Sequence, residues 1–125
     1  VSWARRCVSE TDGDLDTFVR PEAGVGRWSC RVLLGHLADT ELVQVHRMRR
    51  MFSEESPVLG LWDENAFVDA GLYTPREGVS LPVAGSVGVI HTLRLWTSEW
   101  LRALPEDAWA RRSLHPEEGE QTLRD

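Results

Sequence analysis

The sequence predicts an all-α bundle, and three observations predict it. Apolar residues recur with helical spacing over two long stretches, 29–52 and 83–104. No stretch carries the alternation of a half-buried strand. The two stretches are joined by about thirty residues, far more than an antiparallel helix pair needs. Such a length permits a crossover, so the two long helices are free to run parallel.

The elements follow in order. Val1 to Ser9 reads as the end of a first helix, Asp14 to Val19 as a short helical turn, and Pro21 to Gly26 as a loop. Ser29 is a good N-cap for a helix running to about Phe52. Val32 at its N3 position leaves the reciprocal capping box unmade. Leu33, Leu34, Leu37, Glu41, Val45, Met48, Met51 and Phe52 share one stripe of that helix. Arg47, Arg49 and Arg50 suit the negative end of its dipole, and the stretch containing Pro57 ends it. Asp63 caps a shorter helix from Glu64 to about Leu72, and 73–82 is a connector with two prolines. In the long helix from Val83 to Leu104, Val89, Leu93, Trp96, Trp100 and Leu104 fall on one face, with Ile90 and Leu101 beside them. Trp96 and Trp100, one turn apart, read most simply as core. Gly85 and Gly88 weaken the first turns. Pro105 starts a short turn through Trp109, 111–121 reads as a polar loop, and Thr122 as the N-cap of a further helix cut off at Asp125.

Composition bounds the function. At 125 residues the chain holds one domain with a real core, spanning 1–125. A net charge of −6 gives nucleic-acid binding no electrostatic support. All 14 basic residues are Arg, a coding bias more than a functional sign. No apolar run reaches the length of a membrane span, and no signal peptide is visible. Cys7 and Cys30 read as reduced thiols of a cytoplasmic protein. The chain starts at Val1, so a segment of a longer product is expected.

His36 is the candidate for chemistry. Of the four histidines it alone falls at the edge of an apolar helical stripe. His46 and His91 lie opposite the apolar faces of their helices, and His115 reads as a loop residue before Pro116. No H-x-x-x-H, H-E-x-x-H or E-x-x-H occurs, so a hydrogen-bonded bundle histidine is the plain alternative to a metal ligand. Glu41 maps into the apolar stripe and needs an Arg partner, Arg47 or one from another helix. Arg47 is a candidate for an anionic substrate group, or else the partner of Glu41 or Asp39. Cys30, at a helix start, becomes a reactive thiolate only if exposed.

The run Gly26-Arg27-Trp28-Ser29, then Gly35-His36-Leu37-Ala38-Asp39-Thr40-Glu41 and Arg47-Met48-Arg49-Arg50, resembles the DinB/YfiT-like superfamily. So do Trp62-Asp63-Glu64-Asn65-Ala66-Phe67, Leu104 to Trp109, and His115 to Leu123. The resemblance covers about residues 26–125 and implies an up-down-down-up four-helix bundle, with a fourth helix starting near Thr122 and largely missing from this chain. Members typically hold a divalent metal, Zn or Ni, on three histidines. The first lies in the segment that here contains His36; the other two form an H-x-x-x-H pair on the last helix, which this sequence lacks. Relatives include S-transferases that use low-molecular-weight thiols and metal-dependent hydrolases. The resemblance thus implies a metal-dependent enzyme acting on small molecules, with His36 as metal ligand. Arg47, on the His36 flank of the helix, is the candidate substrate contact. Charge, cysteine usage and the lack of a long apolar run point to a cytoplasmic protein without nucleic-acid or membrane partners. A homodimer is expected to cover the stripe that the missing helix would leave open. The other reading is a non-catalytic bundle that works by dimerisation or small-ligand binding.

Overall fold

A computed structural model describes residues 28–77 and 83–125. The elements expected over 1–26 lie outside the described residues. Those described fall into two compact units. One holds 28–39 and the described part of 64–90; the other holds Thr40–Asp63 and His91–Asp125.

Helix α1 spans Cys30–Ser53. Ser29 starts it as expected: its hydroxyl accepts the Val32 N–H at 3.3 Å and its carbonyl the Leu33 N–H at 2.9 Å. Ser56, at φ 45°, and Pro57 follow its end. Helix α2 spans only Glu64–Asp69. Gly71, at φ 72°, stops it: the Leu72 N–H reaches the Phe67 carbonyl and the Gly71 N–H the Val68 carbonyl, a Schellman turn. Helix α3 spans Val83–Arg102. Its end tightens through Ala103 N–H to Trp100 O and Leu104 N–H to Leu101 O, and a 3₁₀ turn over Glu106–Ala110 follows Pro105. No helix among the described residues is long and apolar enough to cross a membrane.

In the first unit Cys30 and Leu34 pack with Val83 and Val87. In the second, Glu41 pairs with Arg94 and Phe52 meets Trp100 edge-on at 5.7 Å, so the parts of α1 and α3 within that unit run parallel, as the long connector permits.

Three local expectations are corrected. First, 112–122 is a β-hairpin rather than a polar loop. Strand β1 (Arg112–His115) pairs antiparallel with β2 (Gly119–Thr122), Arg112 opposite Thr122 and His115 opposite Gly119. Gly119 takes φ 83°, which lets the chain turn back. On its other edge, β1 bonds the α1–α2 loop: Leu114 N–H to Pro57 O and Leu59 N–H to Leu114 O, both 2.9 Å. This anchors Leu59 in a core with Met51 and Leu123, flanked by Met48, Leu104 and Trp109.

Second, Trp96 and Val89 of the expected α3 face do not join the core. Leu93, Trp100 and Leu104 are partly buried as expected, with Ile90 and Leu101 beside them, and Val83 and Thr97 are buried, whereas Trp96 stays 49% exposed. The Arg49 guanidinium lies 3.7 Å over the Trp96 ring, so the indole is covered by a cation at the surface instead of by core. Third, Cys30 is disulfide-bonded, against the expected thiol; Cys7, the other cysteine of the sequence, lies outside the described residues.

At Thr122 the backbone N–H and the hydroxyl both donate to one Asp125 carboxylate oxygen at 2.8 Å. These bonds hold the Asp125 carboxyl below its ordinary range. The Asp125 N–H returns a bond to the Thr122 carbonyl at 3.2 Å, closing a turn directly after β2.

Candidate metal centre and ligand cleft

The Gly35-to-Asp39 segment of α1 organises the first cluster. A side chain at Gly35 would collide with the Tyr73 ring, whose Cγ would lie 2.8 Å from a Cβ there. Glycine thus lets the Tyr73 ring lie against the helix. One turn on, the Asp39 carboxylate accepts the Tyr73 hydroxyl at 2.5 Å. Burial first, then this hydrogen bond and the charges of Asp39 and Glu64, push the Tyr73 phenol well above its ordinary range. Tyr73 comes from the 73–82 connector, where its role carried no sequence signal except Gly35 and Asp39 at i,i+4.

His36 projects beside this pair. Its side chain is 14% exposed, its ring centroid lies 4.9 Å from that of Trp28, and its Nε2 lies 3.6 Å from a Glu64 carboxylate oxygen. Glu64 is the first residue of α2. Two donors of one tetrahedral ion, each about 2.0–2.2 Å from it, stand roughly 3.3–3.6 Å apart. His36 Nε2 and Glu64 match one edge of such a set. A third donor is missing: among the described residues no group of three His, Cys, Asp or Glu side chains could hold a metal ion. The described residues alone therefore do not fit a complete metal centre.

The other histidines lie in the second unit. His46 and His91 are exposed, as expected. His115 is a correction: it ends β1, is buried, and its Nδ1 accepts the N–H groups of Glu117 and Glu118 at 3.3 and 3.2 Å. It is thereby a structural acceptor of the hairpin turn. Glu41 finds its partner on the other long helix, Arg94, which leaves Arg47 uncommitted to it.

Arg47 lines a second feature, a cleft of about 430 Å³ formed by Leu42, Val43, His46, Arg47, Arg50, Gly60, Leu61 and Trp62. Arg47 donates through Nη2 to the Gly60 carbonyl at 2.8 Å. Arg50 forks onto Glu54 at 2.9 and 2.8 Å and reaches the Val58 carbonyl at 2.9 Å. That fork holds the Glu54 carboxyl low and the Arg50 guanidinium high.

The sequence model of the DinB superfamily matches residues 8–125. The chain is 29% identical over 108 residues to YfiT of Bacillus subtilis, covering 86% of this chain and 55% of YfiT. It is 30% identical over 105 residues to OB0782 of Oceanobacillus iheyensis, covering 84% of this chain and 55% of that protein. Both relatives are provisionally named metal-dependent hydrolases. The solved structure of B. subtilis YfiT, described as an unusual four-helix bundle, superposes with a TM-score of 0.76 at 26% identity, over 96% of this chain and 65% of that one. The chain spans about half the length of the curated relatives it matches.

Proposed function

The chain belongs to the DinB superfamily, and from that premise we propose that it forms part of a metal-dependent enzyme acting on small molecules, as a hydrolase or a thiol S-transferase. His36 serves as a ligand of a divalent Zn or Ni ion. One observation carries the reading: a half-buried imidazole in the Gly35-to-Asp39 segment stands 3.6 Å from a carboxylate, at ligand-to-ligand spacing. Names given to relatives support the metal-dependent class. The donors among the described residues do not complete the shell of the ion. What this chain's residues do is hold the imidazole: Trp28 lies against its ring and Glu64 faces its Nε2. The Tyr73–Asp39 bond fixes the neighbouring face of the helix. Metal analysis of the full-length product, with and without His36→Ala, tests the assignment. Loss of bound metal in the variant supports it; equal metal in both ends it.

A homodimer and a cytoplasmic location belong to the same proposal. The location meets one opposing feature, the Cys30 disulfide, which suits an oxidising compartment. A non-catalytic bundle acting by self-association is the second reading, favoured by Leu42, Leu95 and Trp96, each about half exposed on a helix. Metal content and sedimentation together separate the two: a dimer of the full-length product without bound metal supports the second, and a monomer that binds metal contradicts it.

A further inference from the structure

We propose that the cleft beside Arg47 is a binding site for a small amphiphilic monocarboxylate, separate from the His36 cluster and independent of any metal. The cleft's volume of about 430 Å³ lies within the roughly 300–1,000 Å³ of small-molecule sites. Its walls are mainly apolar, from Leu42, Val43, Leu61 and Trp62, and two of these, Leu42 and Leu61, keep about half their surface open to solvent. No carboxylate lines it.

Charge sets the ligand class. Arg50 is already neutralised by the Glu54 fork and contributes its remaining reach to the Val58 carbonyl. Arg47 is different: its recorded partner is a neutral carbonyl, that of Gly60, and it has no ion pair among the described residues. One uncompensated guanidinium at an apolar concave surface calls for one negative charge carried on an apolar body. The Gly60 bond also holds the guanidinium in place before a ligand arrives, which lowers the ordering cost of binding. A planar carboxylate matches the planar fork of arginine. With one guanidinium on the wall that has no ion pair among the described residues, a monoanion is the charge match.

Octanoate and 1-octanol are the probes, titrated into the whole chain while the indole N–H resonances are followed by NMR, with Trp62 assigned from Trp62→Phe. The expected result is a Trp62 shift that saturates with octanoate, at an affinity roughly tenfold or more above that of octanol, the scale of one charge-assisted hydrogen bond. Arg47→Gln, which keeps an N–H donor but no charge, brings octanoate down to the level of octanol. Should that variant lose the loop anchored at Gly60, Val43→Trp provides the second arm: it fills the cleft, leaves Arg47 bonded to Gly60, and abolishes binding of both probes. Equal affinity for acid and alcohol overturns the proposal. So does octanoate binding that survives Val43→Trp, or no shift up to the solubility limit. Metal content plays no part in this readout, so its failure leaves the His36 assignment untouched.

Discussion

The Tyr73 hydroxyl bonds the Asp39 carboxylate one helical turn beyond Gly35, and the missing side chain of Gly35 is what lets the Tyr73 ring reach it. The connector after α2 is thereby tied to the segment of α1 that carries His36. Gly35→Ala removes the space for the ring. The expected cost is about 1–3 kcal/mol of stability, the range for overpacking. Chemical denaturation checks it, and Tyr73→Ala in the same chain should make the added methyl nearly neutral. An equal penalty at Gly35 in both backgrounds would place the strain elsewhere.

Tyr73 is the only tyrosine of the chain, so its ionisation can be read alone. Its phenol is raised by burial and by Asp39, hence the folded state holds the proton more tightly than the unfolded state. The stabilisation is fully present below the unfolded value of about 10 and declines as pH rises above it. The phenolate absorbance should therefore stay absent past pH ~10 in the folded chain and appear with alkaline unfolding. Tyr73→Phe should flatten the alkaline loss of stability. A reversible titration near 10 in the folded chain contradicts the Asp39 bond.

Leu59 and Val58 stand side by side in the loop that bonds β1, yet Leu59 is 2% exposed and Val58 58%. Leu59→Ala should cost about 2–5 kcal/mol, as for a core leucine. Val58→Ala should stay within roughly 0.5 kcal/mol. Urea midpoints of the two variants test the alternation; similar values would deny the pairing of this loop with Leu114.

Much of this architecture was legible in the residues. Ser29, Asp63 and Pro105 mark element starts, and the stripe on α1 holds because Leu33, Leu34, Val45 and Met51 are buried in fact. The hairpin was not legible, since β1 buries Ser113 and His115 and exposes Leu114, the reverse of the usual pattern. On α3 the buried Thr97 gave no apolar signal, while Trp96 advertised a core that Arg49 supplies only in part. At the candidate site, His36 was readable from helical position. Glu64 and Tyr73 were not, because their roles depend on how the chain leaves α1 and returns after Gly71.

Cys30 offers an early check on compartment. With reductant omitted throughout purification, its peptide should resist alkylation and become labelled after reduction. Ready labelling of the untreated chain would restore the thiol expected from the sequence.

The most direct measurement is the coordination geometry of bound metal in the full-length product, from a crystal structure with anomalous scattering at the metal edge. The expected result places a His36 ring nitrogen about 2.0–2.1 Å from the ion, with the Glu64 carboxylate in or against its shell. An ion bound elsewhere, with the His36 ring still resting against Trp28 and Glu64 alone, would contradict the assignment.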